Sequence, residues 1–308
     1  MSRLEYYWKR TARTMKWVIA YRNRTTDILQ DQNTSFVPFR LDKGFWGADP
    51  FVIDVEGSTF LFLELFVEKE NKGVIAVSEY NGQEFEEPRI VIDEPYHLSF
   101  PCVFFANNKY YMVPESGSQH NIVLYECKSF PYEWKKKKVL LTDFNSSDTI
   151  VHIDKETNDI FVIASQLVDS TCIARNILYK LDINNLSLIE ISQGSVVSEK
   201  GIRNAGLIFE SNGMLVRPGQ NCPKGEYGKS TIFWKVAPGN LMMEDEILEI
   251  SVEDIKIAER EKYSGVHTYN ISHRLEVIDL RSVTCTPLAV RVKLFVHTIF
   301  DYIKMKLR

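Results

Sequence analysis

Short apolar runs recur along the chain in pairs, each pair split by a polar turn and closed by a polar or charged residue. Residues 51–64, "FVIDVEGSTFLFLE", are the first case: a strand at 51–55, a Glu-Gly-Ser turn, and a second strand at 59–64 ending in Glu64. The same pattern returns as "CVFFANNKYYMVPES" (102–116), "IVHIDKETNDIFVIASQ" (150–166) and "GLIFESNGMLVRPGQ" (206–220), and more weakly as "NISHRLEVIDLRS" (270–282). After each of the first four comes another strand pair, from "GVIAVSEY … PRIVI" to "STIFWKVA … DEILEI". The repeat is therefore a four-stranded antiparallel meander of roughly fifty residues, and such units arranged radially form a propeller.

The fifth repeat lacks its outer pair, and the missing strands are at the other end of the chain. "WVIAYRNR" (17–24) mirrors "GVIAVSEY", and "SFVPFR" (35–40) mirrors "PRIVI". The predicted fold is thus an all-β, five-bladed β-propeller over residues 17–286, with residues 17–40 completing the last blade so that no sheet edge is exposed there. Two β-sandwiches would not require the N-terminal residues to resemble the outer half of a repeat. Flanking helices are expected at residues 1–16 and 287–308, the second amphipathic through Leu294, Phe295, Ile299, Phe300, Ile303 and Leu307.

Composition changes this picture little, but the distribution of charge matters. The 308 residues carry a net charge of −4. Residues 1–24 hold seven Lys/Arg against one Glu, and residues 287–308 five against one Asp, so the ends are +6 and +4 and the body is −14. An acidic body argues against nucleic acid as a partner, and basic ends suit contact with an anionic membrane face. The opening residues lack the apolar core of a signal peptide, and no stretch reaches the ~20 apolar residues of a membrane helix, so a cytoplasmic location is expected, at the inner face of the membrane through the basic ends. Five widely spaced cysteines indicate neither a disulfide framework nor a zinc cluster. No cofactor is expected, and no His/Asp spacing suggests a metal site.

The candidate chemistry comes from position in the repeat. The first strand of each blade lines a propeller's channel, so the residues just before it converge on one mouth. Those residues include Asp49, His97 with Ser99, Asp148, Arg203 with Asn204, and His267. The ends of the second strands add Glu64, Glu115, Arg217 and Gln220, and the loop "GEYGKS" adds Tyr227 and Lys229. One polar lead-in would be a turn; five aimed at one axis make a site.

The motifs "FWGADPF", "YHLSFPCVF", "YYMVPES", "FPYEW", "SSDTIVHID", "RNAGLIF", "VRPGQNCPKGEYGKS" and "GVHTYNIS" occur in this order over about residues 40 to 280. Together they resemble the N-terminal propeller region of the plant glucosamine inositolphosphorylceramide transferases and of bacterial proteins often encoded among polysaccharide-biosynthesis genes. More distantly, the fold and the Asp-Pro lead-in are similar to five-bladed glycoside hydrolases and phosphorylases, where an acid of the first blade works opposite another across the axis. The resemblance implies a carbohydrate-active protein in cell-surface polysaccharide or glycolipid assembly. Its plant members continue into a separate glycosyltransferase domain that these residues do not contain.

Several cations around the mouth favour a phosphorylated leaving group, which Arg binds bidentately and which departs without a proton. On that reading the protein is a glycosyltransferase using a sugar nucleotide or another phosphorylated sugar donor and a glycan or lipid-linked acceptor. Asp49 activates the acceptor hydroxyl, His97, Arg203 and Arg217 hold the donor phosphates, and Glu115 and Asp148 orient sugar hydroxyls. The alternatives are a hydrolase or phosphorylase, with Asp49 as base or nucleophile and Glu115 as acid, and a non-catalytic glycan-binding partner of a separate transferase.

Overall fold

The computed structural model describes residues 13–168, 172–285 and 292. The first described strands are β1 (Arg13–Asn23) and β2 (Val37–Pro38), which belong to the last of five antiparallel sheets. Blade 1 is β3 (Phe45–Val55), β4 (Ser58–Val67), β5 (Lys72–Tyr80) and β6 (Arg89–Ile92). Blade 2 is β7 (Ser99–Ala106), β8 (Lys109–Glu115), β9 (Asn121–Ser129) and β10 (Glu133–Thr142). Blade 3 is β11 (Ser146–Ile153), β12 (Ile160–Leu167), β13 (Ala174–Asp182) and β14 (Ser187–Gln193). Blade 4 has a divided inner strand, β15 (Lys200–Asn204) and β16 (Phe209–Ser211), followed by β17 (Met214–Asn221), β18 (Ser230–Ala237) and β19 (Asn240–Ile250). Blade 5 takes β20 (Tyr263–Ile271) and β21 (Leu275–Cys285) from the C-terminal side.

The ring closes through hydrogen bonds between the two ends. β1 runs antiparallel to β21 from Arg13↔Cys285 to Asn23↔Leu275, and β2 pairs outside it at Tyr21↔Val37. Neighbouring blades meet at their inner strands, β3 touching β7 on one side and β20 on the other, which makes five sheets a propeller rather than a stack. Because β1 needs a partner for every backbone group, residues 13–16 are strand and not the end of a helix. The rest of that expected helix and the C-terminal helix, apart from Val292, lie outside the described residues. Among the described residues no helix is long and apolar enough to cross a membrane.

Blades pack face to face, so second strands are buried on both sides. This explains why β4 is apolar nearly throughout: Leu61, Phe62 and Leu63 alternate in direction, yet all are fully buried. Leu61 and Leu63 meet Ile19 and Val277 of blade 5, whereas Phe62 joins Leu98, Phe100 and Met112 toward blade 2. Each such side chain contributes about 1.5–3 kcal/mol of transfer free energy, so apolar burial at the interfaces holds neighbouring blades together. Outer strands are wetter. β10 is an edge strand, and Lys137 pairs with Glu126 at 2.9 Å, so its lysines form a solvated edge that resists pairing with another sheet.

Candidate active site

Every inner strand loses register at the same place. The breaks fall between Ala48 and Phe51, Ser99 and Cys102, Ser147 and Ile150, Lys200 and Asn204, and Val266 and Tyr269. Sequence patterning puts Asp49 ahead of its strand; β3 instead begins at Phe45 and Asp49 lies inside it, in the bulge. Asp49, Phe100 and Asp148 all have positive φ, at 49°, 46° and 45°. A bulge with left-handed backbone turns a side chain and an N–H out of the ladder, and such strained positions cluster at functional sites.

The freed N–H groups are latched by acids. Asp49 N–H donates to Asp279 Oδ2 (2.9 Å), Phe100 N–H to Asp49 Oδ2 (3.1 Å) and Asp148 N–H to Glu115 Oε2 (2.8 Å). Thr268 hydroxyl donates to Asp49 Oδ1 (3.1 Å), and Asn204 Nδ2 donates to the Asp148 carbonyl (2.7 Å). Gln220 Nε2 reaches the Asn204 carbonyl at 2.9 Å. The axis thus gathers Asp49, Glu64, Glu115, Asp148, Asn204, Gln220 and His267, each supplied by a different stretch of chain. Phe100 departs from the expectation of a polar lead-in in every blade: it is fully buried against Phe51, ring centroids 4.8 Å apart, and only its N–H serves the hub.

Burial sets the protonation of this cluster. It pushes Asp49 up to about 6, against the His267 charge and helped by Asp279 and Asp148. Burial, then the Asp148 charge, pushes Glu115 up to about 8, with Arg203 opposing. Glu64 is held well above the usual carboxylate range by burial, by the Asp49, Glu115 and Asp279 charges, and by a hydrogen bond with Asp49 that keeps its proton. Near neutrality Glu64 and Glu115 are carboxylic acids while Asp49 is a carboxylate. For His267 burial favours the neutral ring, but Asp279, hydrogen-bonded to Nδ1 at 2.6 Å, and Asp49, 3.5 Å from Nε2, raise its pKa overall.

The cations are less free than the sequence suggests. Arg203 Nε is 2.6 Å from Asp148 Oδ2, and its guanidinium lies over the Tyr227 ring at 5.0 Å. Arg217 is not a hub residue: it is fully buried and holds Glu244 in a two-pronged pair at 2.5 and 2.7 Å, with a further bond to Asn204 Oδ1. Lys229 points to the rim, 3.6 Å from Glu226. His97 is half exposed behind Glu64; its Nδ1 accepts the Gly73 N–H (3.0 Å), so the neutral ring carries its proton on Nε2, which faces Glu64 Oε1 at 3.3 Å. Burial lowers the His97 pKa, which leaves the ring neutral and removes it as a phosphate cation.

Sequence reasoning missed Asp279, Thr268, Ser147 and Trp17. Asp279 occupies the second strand of the fifth repeat, as Glu64 and Glu115 do in theirs, and the weakness of that repeat hid it. Trp17, read as an outer strand residue, stacks flat on His267 at 3.8 Å, with Tyr227 edge-on to both. Contrary to the expectation of no metal site, Asp49, His267 and Asp279 bring ligand atoms within 4.8 Å of one another. Their lone pairs are largely taken, since Asp279 Oδ1 accepts from Thr268 N–H and bonds His267 Nδ1, so the cluster is a hydrogen-bonded relay. Among the described residues, three buried hub atoms make no formed hydrogen bond, Glu64 Oε1, Ser147 Oγ and Gln220 Oε1, and they suit a ligand rich in hydroxyls.

A glucosamine inositolphosphorylceramide transferase 1 from Oryza sativa subsp. indica is 33% identical over 198 residues, covering 61% of this chain and 26% of that protein. The Arabidopsis thaliana protein of the same name is 31% identical over 220 residues, covering 67% and 27%. The chain therefore spans about a quarter of the length of the curated relatives it matches. Among solved structures, a thermostable family-43 glycoside hydrolase superposes with a TM-score of 0.55 at 16% identity, covering 82% of this chain and 92% of that one. A family-43 enzyme from Xanthomonas citri, complexed with xylotriose, gives 0.58 at 10% identity, covering 92% of both chains; at such identities the likeness is one of fold. The family described as glucosamine inositolphosphorylceramide transferase 1, N-terminal, matches residues 40–289, and this carbohydrate-related five-bladed propeller belongs to it.

Proposed function

We propose that the hub catalyses glycosyl transfer to an acceptor hydroxyl in cell-surface polysaccharide or glycolipid assembly, with a phosphorylated sugar as donor. The observation that carries the reading is a buried carboxylate, Asp49, beside two carboxylic acids, the buried Glu64 and the partly buried Glu115. Asp49 takes the acceptor proton as the oxygen attacks the anomeric carbon, steadied by the Thr268 hydroxyl and the His267 charge. The protonated Glu64 and Glu115, with Ser147 and Gln220, hold sugar hydroxyls. Arg203, fixed by Asp148, orients that acid and Tyr227 at the mouth. The transferase relatives support the choice of reaction, and the acceptor is a glycan or lipid-linked saccharide. We place the protein in the cytoplasm, with its basic ends toward the inner membrane face.

One observation favours a second reading. A carboxyl held at about 8 is a proton donor at neutral pH, which an alcohol leaving group needs and a phosphate does not, so Glu115 also suits glycoside hydrolysis. Incubation with nucleotide sugars and with neutral oligosaccharides, followed by product analysis, separates the two. Transfer from a nucleotide sugar, lost in Asp49→Asn with binding retained, supports the proposal. Cleavage of an oligosaccharide without any nucleotide sugar consumed overturns it.

A further inference from the structure

The hub leaves the donor phosphates without a seat. Three of its acids are Asp49, Asp148 and Asp279, and the hub cations are already paired with them, Arg203 with Asp148 and His267 with Asp279. A diphosphate there would face carboxylates with no uncommitted cation.

A groove of about 500 Å³ opens beside the hub, between blades 5 and 1. It is lined by the rings of Trp17, Phe39, Phe45, Trp46 and Tyr263, and its charged lining is Lys16, Arg40 and Lys262 against Glu259 alone. Lys262 pairs with Glu259 at 2.5 Å and Lys16 with Glu68, whereas Arg40 is exposed and makes no ion pair among the described residues. Two aromatic paths join groove to hub. Trp17 stacks on His267, which faces Asp49, and Trp46 stacks on Phe66 at 4.3 Å, next to His97 and Glu64. Phe45 is 37% exposed, the kind of uncovered ring on which a planar base stacks.

We infer that this groove binds the nucleoside diphosphate end of the donor, its base on Phe45 and Trp46 and its phosphates on Arg40 and Lys262, while the sugar passes Trp17 into the hub. The inference rests on the transferase reading and narrows it: the leaving group departs into a basic groove and not along the axis. The volume suits a nucleotide, being within the ~300–1,000 Å³ of small-molecule sites.

The test is calorimetric titration of the full chain with uridine, guanosine, cytidine and adenosine diphosphates, with pyrophosphate and a neutral xylo-oligosaccharide as further arms. One nucleoside diphosphate should bind, with affinity falling as salt is raised. Arg40→Gln and Phe45→Ala, both at exposed positions, should each weaken it by about tenfold, the loss typical of one charge-assisted bond or one stacked base. Asp49→Asn should leave it within about twofold, since the ligand does not touch that residue. If Arg203→Gln abolishes binding and the two groove variants do not, the placement is wrong and the donor reading survives. If no diphosphate binds the unaltered chain while the oligosaccharide does, the donor reading fails and takes the placement with it.

Discussion

Glu115→Gln tests the electrostatics of the hub with little change of shape. Glu115 Oε2 accepts the Asp148 N–H at 2.8 Å, and a glutamine amide oxygen can accept it equally well, so the bulge of blade 3 keeps its latch. What disappears is the ionisation. Burial and the neighbouring Asp148 raise the Glu115 pKa from 4.5 to about 8, so the folded state holds a proton that the unfolded chain releases. Where the native state binds more protons, stability falls as pH rises. The contribution is fully present below pH 4.5 and is lost progressively until the pH passes 8. At 1.36 kcal/mol per tenfold change, that range corresponds to about 5 kcal/mol, of which about 3 is already lost at pH 7. The glutamine variant has no such slope from this position. Urea unfolding of both proteins at pH 5, 7 and 9 should therefore show Glu115→Gln gaining on the unaltered chain by roughly 3–5 kcal/mol between the first and last, whatever constant offset the substitution brings. A difference that does not change with pH would refute the claim that Glu115 is a protonated acid at neutrality, and with it the division of labour between Glu115 and Asp49.

Other outcomes follow from the same geometry. Turnover should trace a bell, rising as Asp49 ionises near 6 and falling as Glu115 loses its proton near 8, and a flat profile between pH 5 and 9 would remove the acid–base pairing. Asp279→Asn should lower the His267 pKa, because it removes the carboxylate bonded to Nδ1, and the change is read from the ring proton shifts in an NMR titration. Arg217→Ala should cost about 3–5 kcal/mol in chemical denaturation by leaving Glu244 without its partner, a loss in folding rather than in ligand choice. Gly228→Ala would bring a Cβ within 2.6 Å of the Trp17 ring at a residue with φ of 61°, so Trp17 should leave His267 and change its fluorescence.

The wheel is legible in the sequence because five repeats share one alternation of apolar strands and polar turns, and because the N-terminal strands resemble the half that the last repeat lacks. Residues placed by that repeat, such as Asp49, Glu64, Glu115 and Asp148, reach the hub. The failures share a cause. A bulge shifts register by a residue, so the spacing that gives a strand its faces does not say which way Asp49 or Phe100 points. Partner choice is also invisible along the chain: Arg217 meets Glu244 two strands outward, and Trp17 reaches His267 only because the ring closes. Type and repeat position were readable, whereas the commitment of a charge to a neighbour was not.

The five acids of the hub are not equivalent, and the difference indicates where function is concentrated. Buried carboxylates cost stability, and well-packed apolar residues would hold the axis as well or better. Asp279 and Glu115 have a structural reason, since each latches a backbone N–H of the adjoining blade; Asp49 latches Phe100, and Asp148 anchors Arg203. Glu64 occupies the same second-strand position as Glu115 and latches no backbone group. Its Oε1 faces His97 Nε2 at 3.3 Å without a formed hydrogen bond, its pKa is strongly raised, and Gly73 packs tightly beside it, where a Cβ would come within 2.6 Å of the Leu98 carbonyl oxygen and 2.7 Å of Glu64 Oε1. A fold selected only for stability would not keep a buried acid there with an oxygen left unsatisfied. Glu64 is thus the hub residue least explained by architecture, and Glu64→Leu, which keeps the bulk but removes both oxygens, should weaken sugar binding while urea unfolding shows no loss of stability.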